Sequence, residues 1–142
     1  MLHCLLIISI WPTAVSAEAP VIIGATHQQE QFLTCIAEIS ADDLRDTPHS
    51  SERLTVVILE HRQFLELRDA FRLHKTRLAF SSLAARRIYL SSRGFRDSET
   101  LFRCITHELG HFATQSVYED HAERAAERIR WKARQTCWSG FQ

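Results

Sequence analysis

The residues best suited to carry chemistry form the pattern His107-Glu108-Leu109-Gly110-His111. Residues four apart lie on one face of a helix, so both imidazoles can reach a single metal ion. Glu108 lies beside the pair, where it can take a proton from a water held by the metal without being a ligand itself. The pattern therefore predicts a zinc site in which His107 and His111 bind the metal and Glu108 is the general base.

A catalytic zinc site needs a third protein ligand and keeps one position open for water. Three residues compete for the third place, namely Glu119, His121 and Glu123. Each also has a simpler use: Glu119 can close a helix capping box that begins at Ser116, His121 can face solvent, and Glu123 can pair with a nearby arginine. Spacing alone leaves the choice open.

The segment 119–126, with the letters EDHAERAA, resembles the second helix of gluzincin metallopeptidases. In that family a ligand Glu is followed by Ala at the third position and by an acidic or amide residue at the fourth. The resemblance covers about residues 102–129 and implies that Glu119 is the third zinc ligand. It also implies that Glu123 holds the other nitrogen of a ligand histidine, and that Ala122 and Ala126 let the two helices approach closely.

The elements that must position these residues follow from hydrophobic spacing and turn chemistry. We expect a helix over His27–Ser40, a buried strand over Leu54–Leu59 and then a second helix. Two short strands follow, over Arg77–Phe80 and Arg87–Leu90. Two long helices end the chain, one beginning at Asp97 or Ser98 and the other over about Ser116–Gln135.

This order predicts an α+β domain with a small antiparallel or mixed sheet of about three strands, packed with the site helix and a C-terminal helix. By resemblance the domain is zincin-like. Ile88 and Leu90 alternate with Arg87 and Tyr89, which suggests a half-exposed or edge strand. The resemblance implies that this strand binds an extended peptide substrate by strand addition.

Residues 1–17 are expected to be a secretory signal peptide rather than part of the domain. They carry no Lys, Arg, Asp or Glu, and a short apolar block is followed by small residues up to Ala17. Cleavage after Ala17 leaves a single domain over residues 18–142, secreted or periplasmic, without stable membrane association. Three cysteines then remain in an oxidising compartment (Cys35, Cys104 and Cys137), of which two can pair, and spacing does not say which.

The 17 Lys+Arg and 17 Asp+Glu of the 142 residues cancel. This balance argues against a nucleic-acid partner, which would need a concentrated positive excess. Two functions remain. The first is a small exported zinc metallopeptidase, in which Glu108 assists attack of zinc-held water on a peptide or protein substrate. The alternative is a zinc-binding structural or partner-docking module without catalysis, which a fourth protein ligand would favour.

Overall fold

The structure is a computed structural model that describes residues 18–45, 47, 52–95 and 97–138. The expected signal peptide, residues 1–17, lies outside the described residues. No helix within the described ranges is both long enough and apolar enough to cross a membrane.

Short strands and helices alternate in the first part of the chain, and two long helices end it. In chain order the elements are β1 (Val21–Ile23), α1 (His27–Ile39), α2 (Ala41–Leu44), β2 (Thr55–Leu59), α3 (His61–Ala70), β3 (Ala79–Ser82), β4 (Arg87–Ser91), a 3-10 turn (Ser92–Phe95), α4 (Ser98–Thr114) and α5 (Glu119–Thr136). The predicted α+β class is confirmed.

The four strands form one mixed sheet in the order β1-β2-β4-β3. β1, β2 and β4 are parallel, whereas β3 runs antiparallel to β4. The expectation of about three strands was therefore one short. β1 was missed because three residues are too few to show a period, and only their pairing with β2 defines them as a strand.

The prediction that Arg87–Leu90 is an edge strand was wrong, because β4 lies between β2 and β3. Alternation of side chains reports how the two faces of a strand are covered, whereas an edge is defined in the hydrogen-bonding direction. Arg87 is exposed and Tyr89 is half-buried, stacked on Phe80 of the neighbouring strand. The free edge on this side of the sheet belongs to β3.

The two faces of the sheet carry different helices. Phe80 of β3 contacts Phe64, the fully buried anchor of α3. Ser81, the next residue, points to the opposite face and hydrogen-bonds Glu108 of α4. Ile88 and Leu90 of β4 lie on that second face, in the main hydrophobic core.

The main core is built where α1, α4 and α5 cover this second face. α1 begins with a capping box between Thr26 and Gln29 and buries Phe32, Leu33 and Ile36. The apolar residues that recur at helical spacing along the two long helices are all buried: Leu101, Ile105, Leu109, Phe112, Ala122, Ala125, Ala126, Ile129 and Ala133.

Local chemistry fixes where α4 begins and ends. The Asp97 carboxylate accepts hydrogen bonds from the Thr100 hydroxyl and from the Thr100 backbone N–H, and in that order the two lower the Asp97 pKa. At the other end Gln115 adopts a left-handed conformation, with φ of 50°, which turns the chain toward α5.

α4 and α5 pack so closely at Gly110 that no other residue fits there without movement. A Cβ on Gly110 would lie 2.2 Å from the Ala122 carbonyl oxygen and 3.1 Å from the Ala126 nitrogen. Ala122 and Ala126 are themselves fully buried. This contact sets the distance between the helix that carries both histidines and the helix that carries Glu119.

A disulfide joins Cys35 of α1 to Cys137, the residue after α5. Cys104 is free and half-buried on α4. Burial, and then the charge of Glu108, raise the pKa of the Cys104 thiol to about 11. The pairing left open by the sequence is thus Cys35 with Cys137.

Candidate metal centre

The structure brings His107, His111 and Glu119 together at the junction of α4 and α5. One ligand atom from each of the three residues lies within 4.8 Å of the other two. The Glu119 Oε2 atom is 2.8 Å from His107 Nε2 and 3.7 Å from His111 Nε2. The two imidazole rings stand nearly perpendicular, with centroids 4.9 Å apart.

The remaining nitrogen of each imidazole is bound to an acceptor. His111 Nδ1 lies 2.7 Å from the Ser116 carbonyl oxygen, and His107 Nδ1 lies 2.9 Å from Glu123 Oε2. A carbonyl and a carboxylate can only accept, so both Nδ1 atoms donate. This assignment leaves Nε2 of each ring directed at Glu119, as in metal sites where an outer hydrogen bond fixes the histidine tautomer.

Arg77 holds the other oxygen of Glu119. The Arg77 guanidinium donates to Glu119 Oε1, so that Oε2 alone faces the histidines. Burial by itself would raise the pKa of Glu119. The hydrogen bond and charge of Arg77, followed by the contact with His107, outweigh this effect and lower the pKa below its usual value. Glu119 is therefore ionised as a ligand must be.

Glu123 is likewise held from two sides. Its Oε2 accepts from His107, and its Oε1 accepts from Arg130 of the same helix. Burial opposes ionisation, but these two hydrogen bonds prevail and lower the Glu123 pKa. The Glu123 carboxylate thus orients His107 and is itself oriented by Arg130. Glu123 therefore makes both contacts considered from the sequence, an ion pair with an arginine and a hydrogen bond with a histidine.

Glu108 lies beside the histidine pair and is almost completely buried, with 2% of its surface exposed. Burial raises its pKa, and a hydrogen bond donated by Ser81 of β3 partly offsets that effect. Its Oε2 atom has no hydrogen-bond partner within the described residues. A buried, unpartnered carboxylate oxygen is costly for folding and is typical of functional sites.

A cavity of about 360 Å³ opens beside this cluster. His107, Glu108 and Glu119 all contribute to its wall, together with Leu78 and Ala79 from the segment entering β3. Glu108 therefore borders a space that a small part of a ligand can enter.

His121 is not brought into the cluster. It is exposed, its Nδ1 lies 3.2 Å from the Ser116 hydroxyl, and its ring packs edge-on against Tyr118. Tyr118 begins α5 without a side-chain cap, so the capping box considered for Ser116 and Glu119 does not form. Neither His121 nor Tyr118 lines the cavity among the described residues.

Two residues of the site escaped the sequence analysis. Arg77 precedes β3 and Ser81 lies within it, and they are 42 and 38 residues from Glu119 in the chain, respectively. Nothing in the local pattern ties them to the histidines. For Ser81, the alternation of side chains along β3 could have indicated a role, because it places Ser81 on the face opposite Phe80.

The donor set fits a zinc ion. Atoms bound tetrahedrally at zinc–nitrogen distances lie about 3.3 Å apart, between the 2.8 and 3.7 Å separations given above. With both Nδ1 atoms donating, His107 Nε2 and Glu119 Oε2 are two acceptors that face each other. A cation or a proton must lie between them, and two imidazoles with one carboxylate are ligands that zinc prefers.

No protein family, curated protein or solved structure matches this chain.

Proposed function

We propose that this protein is a small exported zinc metallopeptidase of the zincin type, with a gluzincin-like ligand set. His107 Nε2, His111 Nε2 and Glu119 Oε2 would hold the ion. The observation that carries the proposal is the convergence of these three atoms beside Glu108, a cavity-lining residue with a buried, unpartnered carboxylate oxygen. When bound, zinc would supply a Lewis acid that polarises a carbonyl group and activates water.

Glu108 is the general base in this proposal. Its unpartnered Oε2 accepts a proton from the attacking water and then passes it to the departing amine nitrogen, so the carboxylate is regenerated in each cycle. Ser81 fixes the side chain by donating a hydrogen bond to it. Because Glu108 is one residue from His107 on α4, the base moves with the ligands and keeps its distance from them.

The substrate would bind as an extended peptide along β3. The outer edge of this strand is unpaired within the described part of the sheet, so its backbone groups can add a further strand. β3 also carries Ser81 and begins two residues after Arg77, which would bring the peptide backbone close to both site residues. The strand-addition role expected for Arg87–Leu90 is thus proposed for Ala79–Ser82 instead.

A closed, non-catalytic zinc site would need a fourth protein ligand. His121, near the start of α5, was the histidine considered for this role. Its Nδ1 atom instead hydrogen-bonds the Ser116 hydroxyl, outside the cluster. Within the described residues the cluster has three ligands, which favours the peptidase over the structural module. The Cys35–Cys137 disulfide supports export, because such bonds persist in oxidising compartments.

The test is a Glu108→Gln variant, which keeps the shape of the side chain and removes its basicity. We expect one zinc per chain in both proteins, measured by metal analysis, and a loss of peptide hydrolysis of about 10²- to 10⁴-fold. Glu66→Gln, which alters an exposed ion pair on α3, is the matched control and should hydrolyse normally. Equal turnover by Glu108→Gln and the unmodified protein would disprove the mechanism.

A further inference from the structure

Three arginine side chains line the cavity beside the candidate metal centre: Arg77, Arg103 and Arg130. Two of them are bound by carboxylates of the protein, since Arg77 pairs with Glu119 and Arg130 with Glu123. Arg103 is exposed, and its guanidinium makes no ion pair or hydrogen bond with any other described residue. Among the described residues, it is the cation of this wall that remains available to an incoming anion.

Arg103 is also well placed to meet a ligand. It lies on α4 one turn before His107, so the two side chains share a face of the helix. It lines a second cavity, of about 440 Å³, that continues along α4 and α5. Both cavities share Arg103 and Arg130, so a peptide that extends from the first cavity into the second passes Arg103.

The charges of the two cavities differ once a divalent ion is bound. In the first, three arginines are matched by three glutamates, Glu108, Glu119 and Glu123, and a divalent ion would add further positive charge. In the second, three arginines are also matched by three glutamates: Arg103, Arg130 and Arg134 against Glu99, Glu123 and Glu127. With zinc in place, the positive excess would therefore be confined to the neighbourhood of the metal centre, where it would attract carboxylates and repel ammonium groups.

We infer that the site takes peptides with an acidic side chain close to the bond to be cleaved, and that Arg103 binds that carboxylate. The inference rests on the proposed peptidase function and adds its substrate class. A guanidinium presents paired N–H donors that match the two oxygens of a carboxylate, which explains why arginine suits this role. Arg103 acts as a specificity determinant and takes no part in the proton transfer.

The test measures binding separately from hydrolysis. Zinc-loaded protein carrying Glu108→Gln is titrated with fluorescein-labelled, otherwise uncharged decapeptides that have one Glu, Gln or Lys at each position in turn. At one or two adjacent positions we expect the Glu peptide to bind about fivefold more tightly than the Gln peptide, as for a solvent-accessible ion pair. The Lys peptide should bind more weakly than either.

Substitutions at Arg103 identify the residue responsible. Adding Arg103→Gln should abolish the difference between Glu and Gln peptides, and Arg103→Glu should transfer the preference to Lys. Arg128→Gln makes the same change of charge on α5 but lines neither cavity, so it should keep the preference for Glu. Thermal denaturation of each variant verifies that the fold is retained.

The possible failures are distinguishable. Equal binding of Glu and Gln peptides at every position, a preference that survives Arg103→Gln, or no binding of any peptide would overturn the inference about Arg103. Hydrolysis of the same peptides by the zinc-loaded unmodified protein tests the peptidase itself. A preference for Glu that depends on Arg103, without any cleavage, would support the acidic ligand and reject the enzyme.

Discussion

Glu119 divides its two carboxylate oxygens between two partners, and this division organises the site. Oε1 accepts from Arg77, while Oε2 faces His107 and His111. Glu123 divides its oxygens in the same way between Arg130 and His107. Each carboxylate is thus oriented by an arginine, and its other oxygen is left for the metal site or its histidine.

Arg77 is therefore predicted to be a positioning residue for the metal. Replacing it by Met leaves Glu119 free to rotate, and we expect zinc affinity to fall about 10- to 100-fold, the usual cost of losing a partner of a metal ligand. Competition against a zinc-binding dye measures the affinity directly, without any assay of activity. Arg77→Lys should restore part of it.

Arg62→Met, which removes an exposed ion pair with Glu66 on α3, is the control and should leave zinc affinity unchanged. The Arg77 charge also repels a cation. Tighter zinc binding in Arg77→Met would mean that this repulsion outweighs the orientation of Glu119, contrary to the prediction.

At the scale of elements, the site depends on the distance between α4 and α5. α4 supplies both histidines and Glu108, α5 supplies Glu119 and Glu123, and the two helices meet at Gly110. The backbone of α5 leaves no space for a side chain there, so the geometry of the ligands depends on a residue that has no side chain to bind metal.

Gly110→Ala is predicted to destabilise the protein and to weaken zinc binding together. The added Cβ would lie 2.2 Å from a carbonyl oxygen of the facing backbone, so the helices must separate. Overpacking of this kind costs about 1–3 kcal/mol. Urea denaturation and zinc titration of the same variant measure the two effects.

Gly94→Ala provides the matched control, because its nearest neighbour would be the Leu78 Cβ at 3.9 Å, an ordinary contact. Its stability should stay close to that of the unmodified protein. If Gly110→Ala binds zinc with full affinity, close approach of the helices is not what sets the ligand geometry.

At the scale of the whole molecule, the Cys35–Cys137 disulfide links the first long helix to the end of the last one. Phe32, Phe102 and Trp138 pack together near this link, with ring centroids 4.7 to 6.1 Å apart. The Arg134 guanidinium lies over the rings of Phe102 and Trp138. The main core is thus closed at one end by a covalent bond and an aromatic cluster.

Removal of this disulfide is predicted to be costly because the bridged residues are 102 positions apart. Restricting so long a loop in the unfolded chain stabilises the folded state by about 4.7 kcal/mol on the chain-entropy account. We expect the double variant Cys35→Ser, Cys137→Ser to lose roughly 3–5 kcal/mol in urea denaturation. Cys104→Ser, which removes the free thiol, should lose much less, and equal losses would show that burial of the cysteines rather than the crosslink is responsible.

The sequence predicted the parts of this protein that depend on local order. Residues four apart on a helix face one way, so His107 and His111 could be paired, and the buried faces of α4 and α5 followed from the same periodicity. The Asp97 cap was also predictable, because a cap is satisfied within its own turn. The zinc ion, the export and the peptidase activity stay predictions.

Only the tertiary structure decided which distant groups meet. It brought Glu119 rather than His121 to the histidines, assigned Arg77 and Ser81 to the site, and paired Cys35 with Cys137. It also made β3, and not β4, the edge of the sheet. The physical reason is that strand order and helix packing are set by the joint burial of apolar faces across the whole chain, which local patterns do not encode.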